Sequence, residues 1–121
     1  AVGNEIALMM EEADVVRTSN FGFWNSVLDE KLLPLLDEAI GDAAPRKLIV
    51  VHTLGSHSNY RQRVPAGFGL GPGASGVRKA HANGRITDEH AVVIADYDRT
   101  IAYTDWFLDQ VIARHRTDAS Y

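Results

Sequence analysis

The residues best suited to chemistry follow the apolar run Leu48-Ile49-Val50-Val51, in the sequence His52-Thr53-Leu54-Gly55-Ser56-His57. His57 comes directly after Gly55-Ser56, in a turn, and sits among Tyr60, Arg61 and Arg63. A neutral imidazole can donate to a phosphoryl oxygen, and a protonated one adds positive charge. The chemistry this cluster suggests is contact with an anion. His52 has a plainer reading, as a partly buried histidine hydrogen-bonded locally at the end of the run. A metal pair made of His52 and His57 would need further ligands, and no carboxylate lies between His57 and Asp88.

Other candidates carry less. Gly71-Pro72-Gly73-Ala74-Ser75-Gly76 spells G-x-G-x-x-G. That motif binds a pyrophosphate only between a strand and a helix. Here loop-like sequence flanks it on both sides, and a glycine-rich loop explains it better. Asp98, Asp105 and Asp109 fall roughly on one helical face and read as a solvated face. Ser56 lacks the G-x-S-x-G elbow of a serine hydrolase.

Several elements must position these residues. Asn4, with Glu5 behind it, can cap a helix carrying Ile6, Met9, Met10 and Ala13. Val15-Val16 read as a short strand stopped by Thr18-Ser19-Asn20. Leu28, Leu32, Leu35, Leu36 and Ala39 form an apolar stripe over a helix at 29–40. Pro34 disturbs that helix, by a kink or by delaying its start to about Leu33. The unbroken run Leu48–Val51 looks like a strand covered on both faces, as in a parallel sheet. Ligands of open α/β sheets sit beyond the carboxyl ends of strands, which again points to the residues after Val51. A long loop occupies about 58–88. From Asp88 a helix runs to about His115, with Ile94, Tyr97, Ile101, Leu108 and Ile112 as its stripe, flanked by Ala91, Val93, Phe107 and Val111. At about 40 Å it is long for a chain of 121 residues, as if lying across a larger sheet.

Charge is unevenly spread. Residues 1–45 hold 2 basic and 9 acidic groups, residues 46–87 hold 7 basic and none acidic, and residues 88–121 hold 3 basic and 7 acidic. The total of −4 argues against general nucleic-acid binding, yet the acid-free middle suits a phosphate. No apolar run approaches the ~18–20 residues of a membrane span, and no signal-peptide pattern appears. The absence of cysteine excludes disulfides and thiolate metal sites.

Three blocks resemble one family. Leu48–His57 followed by Tyr60, Arg63, Pro65 and Phe68 is similar to LIVLHTxGSHgPxYxxRYPxxF. Tyr97–Leu108, read as YDRTIAYTDWFL, is similar to YDNsIxYTDxFL, and Asp29–Asp37 to DExLLpxLD. Asn4–Asn20 resembles a helix and strand ending in Ser-Asn. The patterns they resemble belong to the sulfatase-type catalytic domain of phosphoethanolamine transferases, in the alkaline-phosphatase superfamily.

The resemblance implies an α/β fold: part of a three-layer αβα sandwich with a parallel sheet, pairing strands at Val15–Thr18 and Leu48–His52. It implies a membrane-anchored enzyme with a periplasmic catalytic domain. Such an enzyme moves phosphoethanolamine from a phospholipid donor to lipopolysaccharide or another envelope glycolipid acceptor. A zinc-activated threonine is the family's nucleophile. His57 would contact the phosphoryl group, and Asn20, Tyr60 and Arg63 would line the same substrate site.

The family's nucleophile block and its D-H-G-E zinc motif have no counterpart here. The expectation is therefore a middle fragment of one catalytic domain, spanning 1–121, with no catalytic residue, no metal ligand and no bound zinc of its own. Exposed sheet edges would allow it to dimerise. Ser58-Asn59 stand where the family has Gly-Pro, and Arg99 where it has Asn. The cysteines of lipid A-specific members are missing, so other acceptors stay open. Two alternatives remain: a sulfatase or phosphodiesterase that releases its group to water, and a non-catalytic anion-binding or interaction module.

Overall fold

A computed structural model of the chain describes residues 2–19, 27–69 and 82–117. Its longer elements among these residues are the α-helices α1 (Val2–Glu11), α2 (Leu33–Ile40) and α3 (Asp88–Thr117). Two short 3-10 turns join them, Asp29–Leu32 directly before α2 and Tyr60–Gln62 before α3. Both α2 and the turn at 60–62 pack against α3.

Local chemistry sets the helix bounds. Pro34 falls in the first turn of α2, where its missing N–H is not needed. The four residues before it wind as a 3-10 turn instead of continuing the α-helix. At the end of α2, Lys47 Nζ donates to the carbonyls of Ile40 and Asp42, the latter at 2.7 Å. An ammonium there satisfies carbonyls that have no helical partner. For α3, Thr87 Oγ1 accepts the His90 amide at 3.3 Å as an N-cap. Asp88 and Glu89 lie in its first turn and Arg114, His115 and Arg116 in its last, complementing the helix dipole. α1 begins at Val2, so Asn4 lies inside the helix and does not cap it.

The core is small. Leu33 and Leu36 of α2, Val64, and Tyr103 and Phe107 of α3 are its buried apolar residues among those described. Thr100 is also buried, its hydroxyl donating to the Tyr97 carbonyl at 2.7 Å. Arg114 Nε reaches Asp37 at 2.8 Å and ties α3 to α2. Arg17 Nε reaches Glu38 at 3.2 Å and ties the segment after α1 to the same helix.

Two expectations are corrected here. Among the described residues there is no strand and no sheet, so the partial αβα sandwich with a parallel sheet is not seen. Val15–Thr18 and Leu48–His52 run without ladder pairing. Leu48 is 90% exposed and Val50 60%, the opposite of a strand covered on both faces. A short apolar run supplies β-propensity, but a strand exists only where a second one pairs with it. The sheet edges through which the sequence would allow a dimer are likewise absent among these residues.

The second correction concerns α3. Its expected stripe, Ile94, Tyr97, Ile101, Leu108 and Ile112, faces outward, each residue more than a third exposed. Thr100 and Tyr103 turn inward instead, together with Phe107 from the flank of the expected stripe. These three recur at helical spacing as regularly as the outer five, so periodicity alone could not choose between the faces.

Candidate functional site

The segment 54–63 is held from two sides. On one side stands Asp29, the first residue of the 3-10 turn before α2, with only 8% of its surface exposed. One carboxylate oxygen accepts the Leu54 amide at 3.0 Å, and the other accepts the Gly55 amide at 2.9 Å. The His57 amide then donates back to the Leu54 carbonyl at 3.0 Å, closing the turn. Gly55 has φ +48°, a left-handed conformation that residues with a Cβ adopt at a cost. A Cβ added there would meet Thr104 Oγ1 at 3.7 Å, an ordinary contact, so backbone conformation and not space favours glycine.

On the other side stands α3. Tyr60 sets its ring edge-on to Tyr97, with centroids 5.2 Å apart. Arg61 Nε reaches Asp96 at 3.2 Å, and Arg99 lies 3.6 Å from the same carboxylate. The 3-10 turn between these contacts begins after Asn59, at φ +66°, a left-handed position that asparagine tolerates.

Asp29 is anchored in turn by α3. The Tyr103 hydroxyl accepts the Glu30 amide at 3.2 Å and lies 3.3 Å from Glu30 Oε2, to which it donates. Tyr103 is 1% exposed. Its ring stacks on Trp106, with centroids 5.4 Å apart, and meets Phe68 edge-on at 5.1 Å. Burial pushes the Tyr103 phenol up to about 12. The Glu30 amide bond opposes that rise, and the neighbouring Glu30 carboxylate adds to it.

His57 and Arg63 meet around Ser58. Ser58 Oγ lies 3.1 Å from His57 Nδ1, and Arg63 Nε donates to the Ser58 carbonyl at 3.4 Å. His57 is exposed and Arg63 half-buried. When the serine donates to Nδ1, the ring proton sits on Nε2, where it can be offered to a ligand oxygen. The amides of Leu54, Gly55 and His57 are already taken within the protein, so an anion here would be met by side chains.

Of the residues singled out in the sequence, His57 and Arg63 come together, while Tyr60 turns its ring toward Tyr97. Asn20 lies outside the described residues, as does the G-x-G-x-x-G segment. His52 is exposed instead of partly buried. Asp105 and Asp109 are exposed and Asp98 is half-buried. Asp29 is the residue that spacing did not reveal. Its one local signal is an acid set between Val27-Leu28 and Leu32-Leu33, where burial demands a hydrogen-bond partner.

The described residues do not fit a zinc ion. No three His, Cys, Asp or Glu side chains gather among them as a ligand set. No described helix is long and apolar enough to cross a membrane.

Known proteins give this geometry a context. The family model described as Sulfatase matches residues 7–120. The chain is 32% identical over 84 residues to the phosphoethanolamine transferase EptC of Escherichia coli K12, covering 69% of this chain and 14% of that protein. It is 33% identical over 90 residues to the Kdo(2)-lipid A phosphoethanolamine 7''-transferase of the same strain, covering 73% and 15% respectively. The chain thus spans about one seventh of the length of these curated relatives. No solved structure gives a significant match.

Proposed function

The chain belongs to the sulfatase family, and from that premise we propose that it serves a phosphoethanolamine transferase-like enzyme, forming part of the surface that holds the phosphoryl group. The observation that carries this reading is the pairing of His57 and Arg63 around Ser58, on a turn tied by buried Asp29. Support also comes from both named relatives, each a phosphoethanolamine transferase.

A phosphodiester or phosphomonoester presents two or three oxygens that need donors. His57 Nε2 supplies one directed N–H. Arg63 keeps further donors beyond its Nε, in the planar fork of its guanidinium. The clamped turn fixes where the imidazole starts from, so less order has to be imposed when the ligand arrives. The donor is a phospholipid carrying phosphoethanolamine, and the acceptor is a lipopolysaccharide or related envelope glycolipid. The working site faces the periplasm. None of the roles given to His57 and Arg63 passes through a metal ion.

The test is transfer of labelled phosphoethanolamine from phosphatidylethanolamine to lipopolysaccharide by the intact gene product. His57→Ala is expected to lower transfer at least about a hundredfold. Label released to water would mark a hydrolase. Transfer that does not depend on His57 would overturn the reading.

A further inference from the structure

We infer that Asp29 is a positioning residue for the anion site: it sets the place and direction of His57 through the backbone of Leu54 and Gly55. The inference rests on the phosphoryl-holding role given to His57 above.

The argument begins with what a carboxylate can do that other side chains cannot. It offers two acceptor oxygens in one rigid plane. Here each oxygen takes one of two successive amides, at 3.0 and 2.9 Å. Two bonds to adjacent peptide groups fix not only where the turn lies but how both peptide planes are rotated. The third bond, His57 amide to Leu54 carbonyl at 3.0 Å, carries that orientation forward to the histidine. Charged acceptors make the stronger class of such bonds.

The clamp is itself well held. Asp29 opens a 3-10 turn whose Lys31 amide bonds the Leu28 carbonyl at 3.0 Å. The next residue, Glu30, is bonded at its amide by the buried Tyr103 hydroxyl. Asp29 therefore connects the inner face of α3 to the histidine turn, across 25 and 26 residues of sequence.

Position and charge make opposite demands, and this separates the inference from simpler ones. A negative carboxylate near an anion site repels the anion. If Asp29 acted by charge alone, Asp29→Asn would tighten anion binding. If it acts by position, the same change weakens binding. An amide keeps one acceptor but turns an N–H₂ toward one of the two backbone N–H groups.

The experiment titrates the 121-residue chain with inorganic phosphate, and separately with phosphoethanolamine, following the His57 imidazole by NMR. Folded fraction is measured in the same samples. Asp29→Asn is expected to weaken phosphate binding about tenfold, with the Leu54 and Gly55 amides losing their protection from hydrogen exchange. Leu36→Ala, a core change away from the site, is expected to lower the folded fraction and leave the affinity of the folded molecules unchanged. Equal or tighter binding by Asp29→Asn overturns the inference and leaves the role of His57 standing. A wild-type chain whose His57 does not respond to either ligand overturns that role, and the inference with it. Should Asp29→Asn not fold, Asp29→Glu decides: its extra methylene displaces the turn, and an affinity equal to wild type overturns the inference.

Discussion

The carboxylate of Asp29 holds the amide of Gly55 at 2.9 Å, 26 residues further along the chain. It does so at a backbone angle, φ +48°, that glycine adopts freely and alanine does not. Gly55→Ala is therefore expected to cost about 1 kcal/mol, read by urea unfolding. The added methyl finds only ordinary contacts at 3.7 Å, so the loss is conformational. A stabilised variant would show that the turn does not have this geometry in solution.

Tyr103 gives the fold a dependence on alkaline pH. Its phenol, raised by burial to about 12 from an ordinary value of 10.0, keeps its proton more tightly folded than unfolded. That stabilisation is complete below pH 10 and is lost as pH rises through 12. Tyr103→Phe is expected to remove its share of that loss. The variant also leaves the Glu30 amide without its acceptor, at a cost near 1–3 kcal/mol at neutral pH. Denaturation midpoints measured across the alkaline range, in both proteins, check the two claims.

The two faces of α3 should respond differently to truncation. Phe107, 3% exposed, packs inward, and Phe107→Ala is expected to cost roughly 3–5 kcal/mol. Ile101 and Leu108 are 47% and 51% exposed, and alanine at either is expected to cost under about 0.5 kcal/mol. Thermal or urea unfolding of the three variants decides it. A reversed order would mean that the outer stripe is the packed one.

The two arginines beside His57 divide by partner. Arg61 is joined to Asp96, while Arg63 leans on the Ser58 carbonyl next to the imidazole. Arg63→Ala is expected to weaken inorganic phosphate binding about tenfold, and Arg63→Lys to recover only part, since an ammonium lacks the planar fork. Arg61→Ala should leave phosphate affinity within about twofold, because an exposed ion pair contributes little. Isothermal titration of each variant gives the comparison.

What could be read in the sequence was what is decided locally. The start of α2 at Leu33 follows from Pro34, and a helix starting at Asp88 is legible without the Thr87 cap that the structure adds. Whether a sheet forms is not legible this way, because pairing is a relation between distant segments. Leu48–Val51 carries the composition of a strand without a partner among the described residues. The inner face of α3 is not legible either, because both faces of that helix repeat at the same period. In the site, the turn at Gly55-Ser56 and the nearness of Arg63 to His57 follow from short spacing. Asp29 could not be found this way, since nothing around residue 29 announces a bond to residue 55.

The route from Tyr103 to His57 behaves like a surveyor's traverse. Each station is fixed only relative to the one before it: phenol to Glu30 amide, Asp29 to the amides of Leu54 and Gly55, Leu54 carbonyl to His57 amide. In such a chain small errors accumulate, and the last point carries them all. A substitution at the stacked ring of Trp106, far from any ligand in sequence, should therefore appear as blur at the imidazole. Ile101 and Leu108, on the outer face of α3, lie off the traverse, and changes there should leave the histidine sharply located.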